Sequence, residues 1–191
     1  MAMENKQIKM PLDQRYEYKF SVLYLNRNEV ENVIKSHPAM FHEIYFKRSV
    51  NNIYFDNSNL TSFVDNIEGF RDRKKVRIRW YGSLFGLCKE PTLEIKYKKG
   101  LLGWKERHSL KDFNLDIDKH FDYKSIFKYL IERKDFDIHK LDLQLLSPKL
   151  LNRYERTYYL SYDKKYRITL DNKMEFYSIN PITNHFKIFM I

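Results

Sequence analysis

Glycine and cysteine are scarce in this chain of 191 residues, which contains five glycines and one cysteine. With so few glycines, neither a glycine-rich phosphate loop nor a dinucleotide-binding fingerprint can be found in the sequence. The single cysteine, Cys88, excludes a disulfide framework and a cluster of thiolate metal ligands. Because such cysteine usage is typical of a reducing compartment, we expect a cytoplasmic protein.

Long apolar segments are missing as well. No apolar run approaches the ~20 residues that a bilayer-spanning helix needs, and residues 1–12 lack the apolar region of a signal peptide. We therefore expect residues 1–12 to form a flexible lead-in and residues 13–191 to form a single domain. The six histidines do not fall at metal-ligand spacings, and we interpret them as ordinary surface or core residues.

Positive charge and aromatic side chains are what the chain has in abundance. The formal net charge is +10, and the sequence contains 15 tyrosines and 14 phenylalanines. The charge predicts attraction to nucleic acid, nucleotides, inorganic phosphates or an anionic membrane surface. The aromatic content favours strands, and helix-like spacing interrupts them, so the pattern predicts an α+β protein with about seven mostly antiparallel strands.

The predicted elements follow from hydrophobic periodicity and from capping and turn residues. The predicted strands cover residues 15–25, 46–55, 74–81, 92–98, 104–110, 152–162 and 167–177. The predicted helical segments cover residues 26–35, 58–66, 123–133 and 141–151, and residues 186–191 look like the start of a further strand.

Several of these strands alternate cations with bulky apolar residues. The segments are residues 15–20, 75–80, 93–98 and 166–170. Because successive side chains of a strand point to opposite faces, each segment has one charged face and one apolar face. Like charges on neighbouring strands repel one another, so faces of this kind predict a site for a polyanion such as a chain of phosphates. Arg156 and Arg167, eleven residues apart across a short turn, are expected to lie near one another.

Two carboxylates stand among these cations. Glu17 and Glu94 have the chemistry to hold a divalent metal that bridges phosphates, and they can equally serve as structural counter-ions. Nucleic acid is a weaker alternative partner, because the aromatic residues interleave on the face opposite to the cations, which is not how a stacking platform for bases is built.

The ordered series of motifs resembles the VTC domain, the polyphosphate polymerase domain of the vacuolar transporter chaperone type. The resemblance covers residues 15–177. It rests on Arg15-x-Glu17-x-Lys19, Asn52-Ile53-Tyr54-Phe55-Asp56, Lys75-Val76-Arg77-Ile78-Arg79-x-Tyr81-Gly82, Leu93-Glu94-Ile95-Lys96, Tyr154-x-Arg156 and Arg167-Ile168-Thr169-Leu170-Asp171. This domain is one of the CYTH-like triphosphate tunnel metalloenzymes.

The resemblance implies a fold and a set of site residues. The implied fold is a closed antiparallel β-barrel, a tunnel with a cationic interior and helices packed outside. The implied reaction transfers the terminal phosphoryl group of ATP to a growing polyphosphate chain with Mn²⁺ or Mg²⁺. The implied catalytic residues are Lys19, Arg77, Arg79, Lys96, Lys105, Arg156 and Arg167. The implied further contacts to substrate are Arg15, Arg48, Lys98 and Arg107, and the implied metal ligands are Glu17 and Glu94.

The resemblance also implies a later strand with a metal-binding glutamate, and we expect this strand to be missing from residues 1–191, which leaves the barrel incomplete at the C-terminus. Three functions remain open at this point. The first is an ATP-dependent polyphosphate polymerase, and the second is a triphosphatase of the same superfamily. The third is a non-catalytic module that binds polyphosphate or triphosphate.

Overall fold

The structure, a computed structural model, describes residues 17–100, 102–117, 119–133, 142–180 and 186–189. The helices in these ranges are α1 (Arg27–Lys35), α2 (Thr61–Ile67) and α3 (Tyr123–Ile131), with a 3₁₀ helix at Leu143–Leu145. The strands are β1 (His42–Asp56), β2 (Asp72–Tyr81), β3 (Gly86–Cys88), β4 (Thr92–Lys99), β5 (Leu102–Ser109), β6 (Phe113–Leu115), β7 (Ser147–Leu160), β8 (Arg167–Ile179) and β9 (Phe186–Phe189).

Seven of the strands form one antiparallel sheet in the order β5-β4-β2-β1-β7-β8-β9, and β3 pairs with β6 in a separate ribbon. The α+β class and the antiparallel pairing are confirmed. Within the described ranges this sheet is open, because its edge strands β5 and β9 do not pair with each other. The closed barrel therefore stays a prediction.

Two predicted elements are wrong. Residues 17–25 of the predicted first strand form no strand, and Tyr18, Phe20 and Tyr24 are highly exposed. Their alternation predicts two distinct faces. A strand also needs a neighbouring strand for its backbone hydrogen bonds, and none pairs with this segment in the described residues. In the predicted helix at 141–151, the described residues 142–151 contain a single 3₁₀ turn followed by the start of β7. Pro148 explains this difference, since its ring and missing N–H do not allow a helix to continue.

Local signals account for the helix boundaries. The Asn26 side chain accepts hydrogen bonds from the backbone N–H groups of Asn28 and Glu29, and the Glu29 carboxylate accepts one from the Asn26 N–H. This capping box satisfies N–H groups that the first turn of α1 leaves without partners. At the start of α3, the Asp122 carboxylate accepts a hydrogen bond from the Ser125 N–H.

The hydrophobic core lies on one face of the sheet. Ile53, Ile78, Trp80, Leu93, Ile95 and Leu151 are fully buried there, and they belong to one cluster with Phe127 and Leu130 of α3. Farther along the same face, Ile34 of α1 belongs to a smaller cluster with Phe41 and Tyr159. Because side chains alternate along each strand, the residues between these core positions point to the opposite face.

None of the helices in the described ranges has the length and the apolar character that are needed to cross a membrane.

We expect Leu130→Ala to lower the free energy of unfolding by about 2–5 kcal/mol, because it removes a fully buried side chain and leaves a cavity beneath α3. Ile131→Ala on the same helix is the matched control, since Ile131 is 40% exposed. Urea denaturation followed by circular dichroism measures both changes. Equal losses in the two variants would contradict the assignment of the core to this face of α3.

Candidate functional site

Cations from three adjacent strands lie in rows on the sheet face opposite to the core. Lys75 of β2 pairs with Lys96 of β4, which pairs in turn with Lys105 of β5. One step along the strands, Arg77 pairs with Glu94 and Glu94 pairs with Arg107. A further step brings Arg79 beside Asn52 of β1. We call the first three residues the lysine row, and the lysine row together with Arg77, Arg79, Glu94 and Arg107 the cationic face.

Glu94 lies among Arg77, Arg79 and Arg107, and we call these three arginines the arginine cluster. Its carboxylate accepts a hydrogen bond of 2.8 Å from Arg77 Nε and one of 3.2 Å from Arg107 Nε, and Arg79 Nη1 lies 3.7 Å away. Glu94 is only 5% exposed. Burial alone would raise the pKa of this carboxyl group, but the charges of Arg77 and Arg79 outweigh it and lower the pKa to about 2. Glu94 is therefore ionised at neutral pH.

Neutral polar groups hold the arginines from the other side. Arg79 Nε donates to Asn52 Oδ1 at 2.8 Å, and Arg79 Nη2 donates to the Tyr154 hydroxyl at 3.2 Å. Arg77 Nη1 donates to the Tyr54 hydroxyl at 3.1 Å. These contacts fix the two guanidinium groups in place before any ligand arrives, which lowers the entropy cost of binding one.

The lysine row concentrates like charge. Burial lowers the pKa of Lys75 below its ordinary value, and repulsion from Lys19, Arg73 and Lys96 lowers it further. Three ammonium groups directly opposite one another on neighbouring strands destabilise the sheet. An anion with several negative charges would relieve this repulsion, so the row has the electrostatic character of a polyanion site.

The other predicted site residues lie at the margins of this face or away from it. Lys19 and Glu17 lie in the segment before α1, where a Glu17 oxygen is 3.5 Å from Lys96 Nζ. Lys98 pairs with Arg73, one step beyond the lysine row. Arg15 lies outside the described residues.

Arg48 and Arg156 lie opposite each other where β1 meets β7, farther along the same face. The guanidinium group of Arg156 is bound by both oxygens of Asp171. The expected proximity of Arg156 and Arg167 is wrong. Arg167 pairs with Leu160, four residues beyond Arg156 along β7, which corresponds to a separation of about 13 Å.

A model of the VTC domain family matches residues 14–187 of this chain. The chain belongs to the VTC domain family. No curated protein matches it. Family membership supports a role that involves polyphosphate or triphosphate, and the cationic face carries positive charge of the kind that such ligands attract.

The sequence prediction missed residues that the cationic face uses. Lys75, Arg77 and Arg79 are spaced two residues apart in the same strand, and this spacing is sufficient to assign Lys75 to the cationic face. The expected separation of cations from aromatic residues is also wrong in part. Tyr54 and Tyr154 lie on the same face as the arginines, and their hydroxyl oxygens accept hydrogen bonds from Arg77 and Arg79.

The arrangement of carboxylates does not fit a preformed divalent metal site. Both oxygens of Glu94 lie within salt-bridge or hydrogen-bond distance of arginines, whereas Mg²⁺ and Mn²⁺ require several oxygen ligands free to coordinate. Among the described residues, no group of three or more histidine, cysteine, aspartate or glutamate side chains is placed to hold a metal. The geometry therefore favours Glu94 as a counter-ion, and a metal bound by Glu17 or Glu94 stays a prediction.

We expect Glu94→Gln to lower the free energy of unfolding at pH 7 by about 3 kcal/mol, because it leaves the partly buried Arg77 and Arg79 without their counter-charge. The pKa of Glu94 is lower in the folded protein than its ordinary value of 4.5, so its ionisation stabilises the fold above pH 4.5. This contribution disappears as the pH falls from 4.5 towards 2. Urea denaturation at pH 7 and pH 3 measures it, with the exposed Glu90→Gln as control. If both variants lose the same stability at pH 7, the counter-ion role is wrong.

We expect saturating tripolyphosphate to raise the pKa of Lys75, because bound phosphates reverse the repulsion that lowers it. Nuclear magnetic resonance of the lysine side chains measures the titration, and Lys75→Arg identifies the signal by its loss. An unchanged pKa in the presence of bound tripolyphosphate would mean that the ligand lies elsewhere.

Proposed function

We propose that this VTC domain binds a chain of phosphates along the cationic face and lengthens it with phosphoryl groups from ATP. The observation that carries the proposal is the alignment of the lysine row beside the arginine cluster, across strands β2, β4 and β5. Guanidinium groups bind phosphate oxygens through paired hydrogen bonds, and lysines add mobile point charges. Two adjacent rows of this kind suit two phosphate-rich ligands, a donor and an acceptor.

The chemistry that this surface has to support needs little covalent help from the protein. An anionic oxygen at the end of the polyphosphate chain attacks the γ-phosphorus of ATP. The bond between that phosphorus and the β–γ bridging oxygen breaks, and ADP leaves. The nucleophile is already ionised, so the protein's contribution is to align the two ligands and to stabilise the charge that develops between them. Arg77 and Arg107 beside Lys96 and Lys105 have the positions and charges for this role.

A non-catalytic binding module is the second candidate function. It is supported by the engagement of Glu94 with three arginines, which removes the best-placed carboxylate from metal binding. Both candidates use the same phosphate-binding surface and differ only in turnover. Incubation with ATP and Mn²⁺ or Mg²⁺ distinguishes them. Polyphosphate formed together with an equal amount of ADP supports the polymerase, and binding without turnover supports the module. Release of phosphate from tripolyphosphate without polymer would instead indicate a triphosphatase.

We expect the double variant Lys75→Gln, Lys96→Gln to bind tripolyphosphate at least about tenfold more weakly, since two charge-assisted contacts are lost. We expect its free energy of unfolding to be unchanged or higher, because the repulsion within the lysine row is reduced. Isothermal titration calorimetry and urea denaturation measure the two quantities.

The matched control is Lys164→Gln, Lys165→Gln, which removes the same net charge from the exposed turn between β7 and β8. An equal loss of affinity in the control would show that net charge, and not the cationic face, determines binding.

A further inference from the structure

We propose that a cluster of three tyrosines around Arg48 binds the base of a nucleoside triphosphate whose phosphates lie on the cationic face. The cluster consists of Tyr45, Arg48, Tyr81 and Tyr158, and we call it the Arg48–tyrosine patch. This inference rests on the proposed function and identifies the nucleotide end of the same site.

Arg48 lies against three aromatic rings at once. Its guanidinium carbon is 5.0 Å from the ring centre of Tyr45, 5.7 Å from that of Tyr81 and 5.8 Å from that of Tyr158. The rings of Tyr45 and Tyr158 meet edge to face with their centres 5.5 Å apart. Each contact is a cation–π interaction. Together they hold the planar guanidinium group in a fixed orientation.

A β-bulge brings these residues to one face. Tyr45 and Arg48 are three residues apart, so simple alternation would place them on opposite faces of β1. The register shifts between them, so that Tyr45 pairs with Tyr158 and Arg48 pairs with Arg156, two residues apart on β7. The extra residue in β1 restores the shared face. Sequence alternation alone does not show this arrangement.

The patch is accessible and positively charged. Tyr45 and Tyr81 are each 47% exposed, and Arg48 is exposed as well. Within the part of the chain that the structure describes, Arg48 has no carboxylate at salt-bridge distance, whereas Arg156 opposite it is bound by Asp171. In the described part of the chain, the cationic Arg48 is therefore stabilised by the faces of three rings and by no carboxylate. Such a surface of rings and a flat cation suits stacking of a heterocyclic base.

Along β2 an aromatic ring is followed by cations, just as the base of a nucleotide is followed by its phosphates. Tyr81 lies two residues beyond Arg79 on the same face, a distance of about 7 Å, and Arg77 and Lys75 follow at equal steps. A base on the patch therefore places its phosphates toward Arg79 and Arg77, and the lysine row remains for the other phosphate ligand. The inference thus assigns opposite ends of the face to the nucleotide and to the polymer.

Comparison of ATP with inorganic tripolyphosphate tests this inference, because the two ligands share the phosphates and differ in the nucleoside. We expect Tyr81→Ala to weaken ATP binding about tenfold and to change tripolyphosphate binding by less than about twofold. We expect Tyr81→Phe, which keeps the ring, to restore ATP binding. Tyr166→Ala, in the turn before β8, is the control for loss of an exposed tyrosine. Calorimetric Kd values are the readout.

Each other outcome overturns the inference. An equal loss for both ligands in Tyr81→Ala would mean that the patch supports the phosphate-binding arginines and binds no base. Unchanged ATP binding in Tyr81→Ala and in Tyr45→Ala would place the base elsewhere. If the wild-type protein binds tripolyphosphate but not ATP, the site binds phosphates and no nucleotide. Binding of neither ligand would overturn the proposed function as well.

Discussion

The interaction on which the site depends is the contact of one buried carboxylate with three arginines. Antiparallel pairing of β2, β4 and β5 places Arg77 and Arg107 on either side of Glu94, with Arg79 next to Arg77 in β2. Without a negative charge at that point, three guanidinium groups on one sheet face would repel one another in a partly desolvated environment. Glu94 therefore makes the cluster compatible with a folded sheet, and the same contacts orient the arginines toward a ligand.

The lysine row is compensated less completely, because the carboxylate beside its central residue, Lys96, belongs to the half-exposed Glu17 at 3.5 Å. Lys75 lies between cations of neighbouring positions, and its lowered pKa reflects both this repulsion and its burial. The arrangement reduces the stability of the free protein in order to concentrate positive charge on one surface. The proposed function therefore sets phosphate binding against stability at this row, as is common at binding sites. The core on the other face, with fully buried Trp80 and Leu93, provides the stability that permits it.

The sequence predicted the side-chain faces of the inner strands β2 and β4 well. Alternation assigned Arg77, Arg79 and Glu94 to one face correctly, because side-chain direction in a strand has a period of two. It failed where pairing or register decided the outcome. Residues 17–25 alternate but have no neighbouring strand among the described residues. The bulge between Tyr45 and Arg48 puts both side chains on one face, whereas simple alternation would put them on opposite faces. The contacts of Glu94 with the three arginines could not be predicted from the sequence, since they depend on the register of three strands.

The most direct test of this account is the thermal stability of the protein in tripolyphosphate compared with sodium chloride of equal ionic strength. A ligand at one hundred times its Kd stabilises the folded state by about 2.7 kcal/mol, which corresponds to an increase in Tm of about 5 °C or more for a chain of this size. The account predicts this increase with tripolyphosphate and a much smaller one with sodium chloride. Equal increases in the two salts, or none with tripolyphosphate, would contradict a built polyanion site on the cationic face.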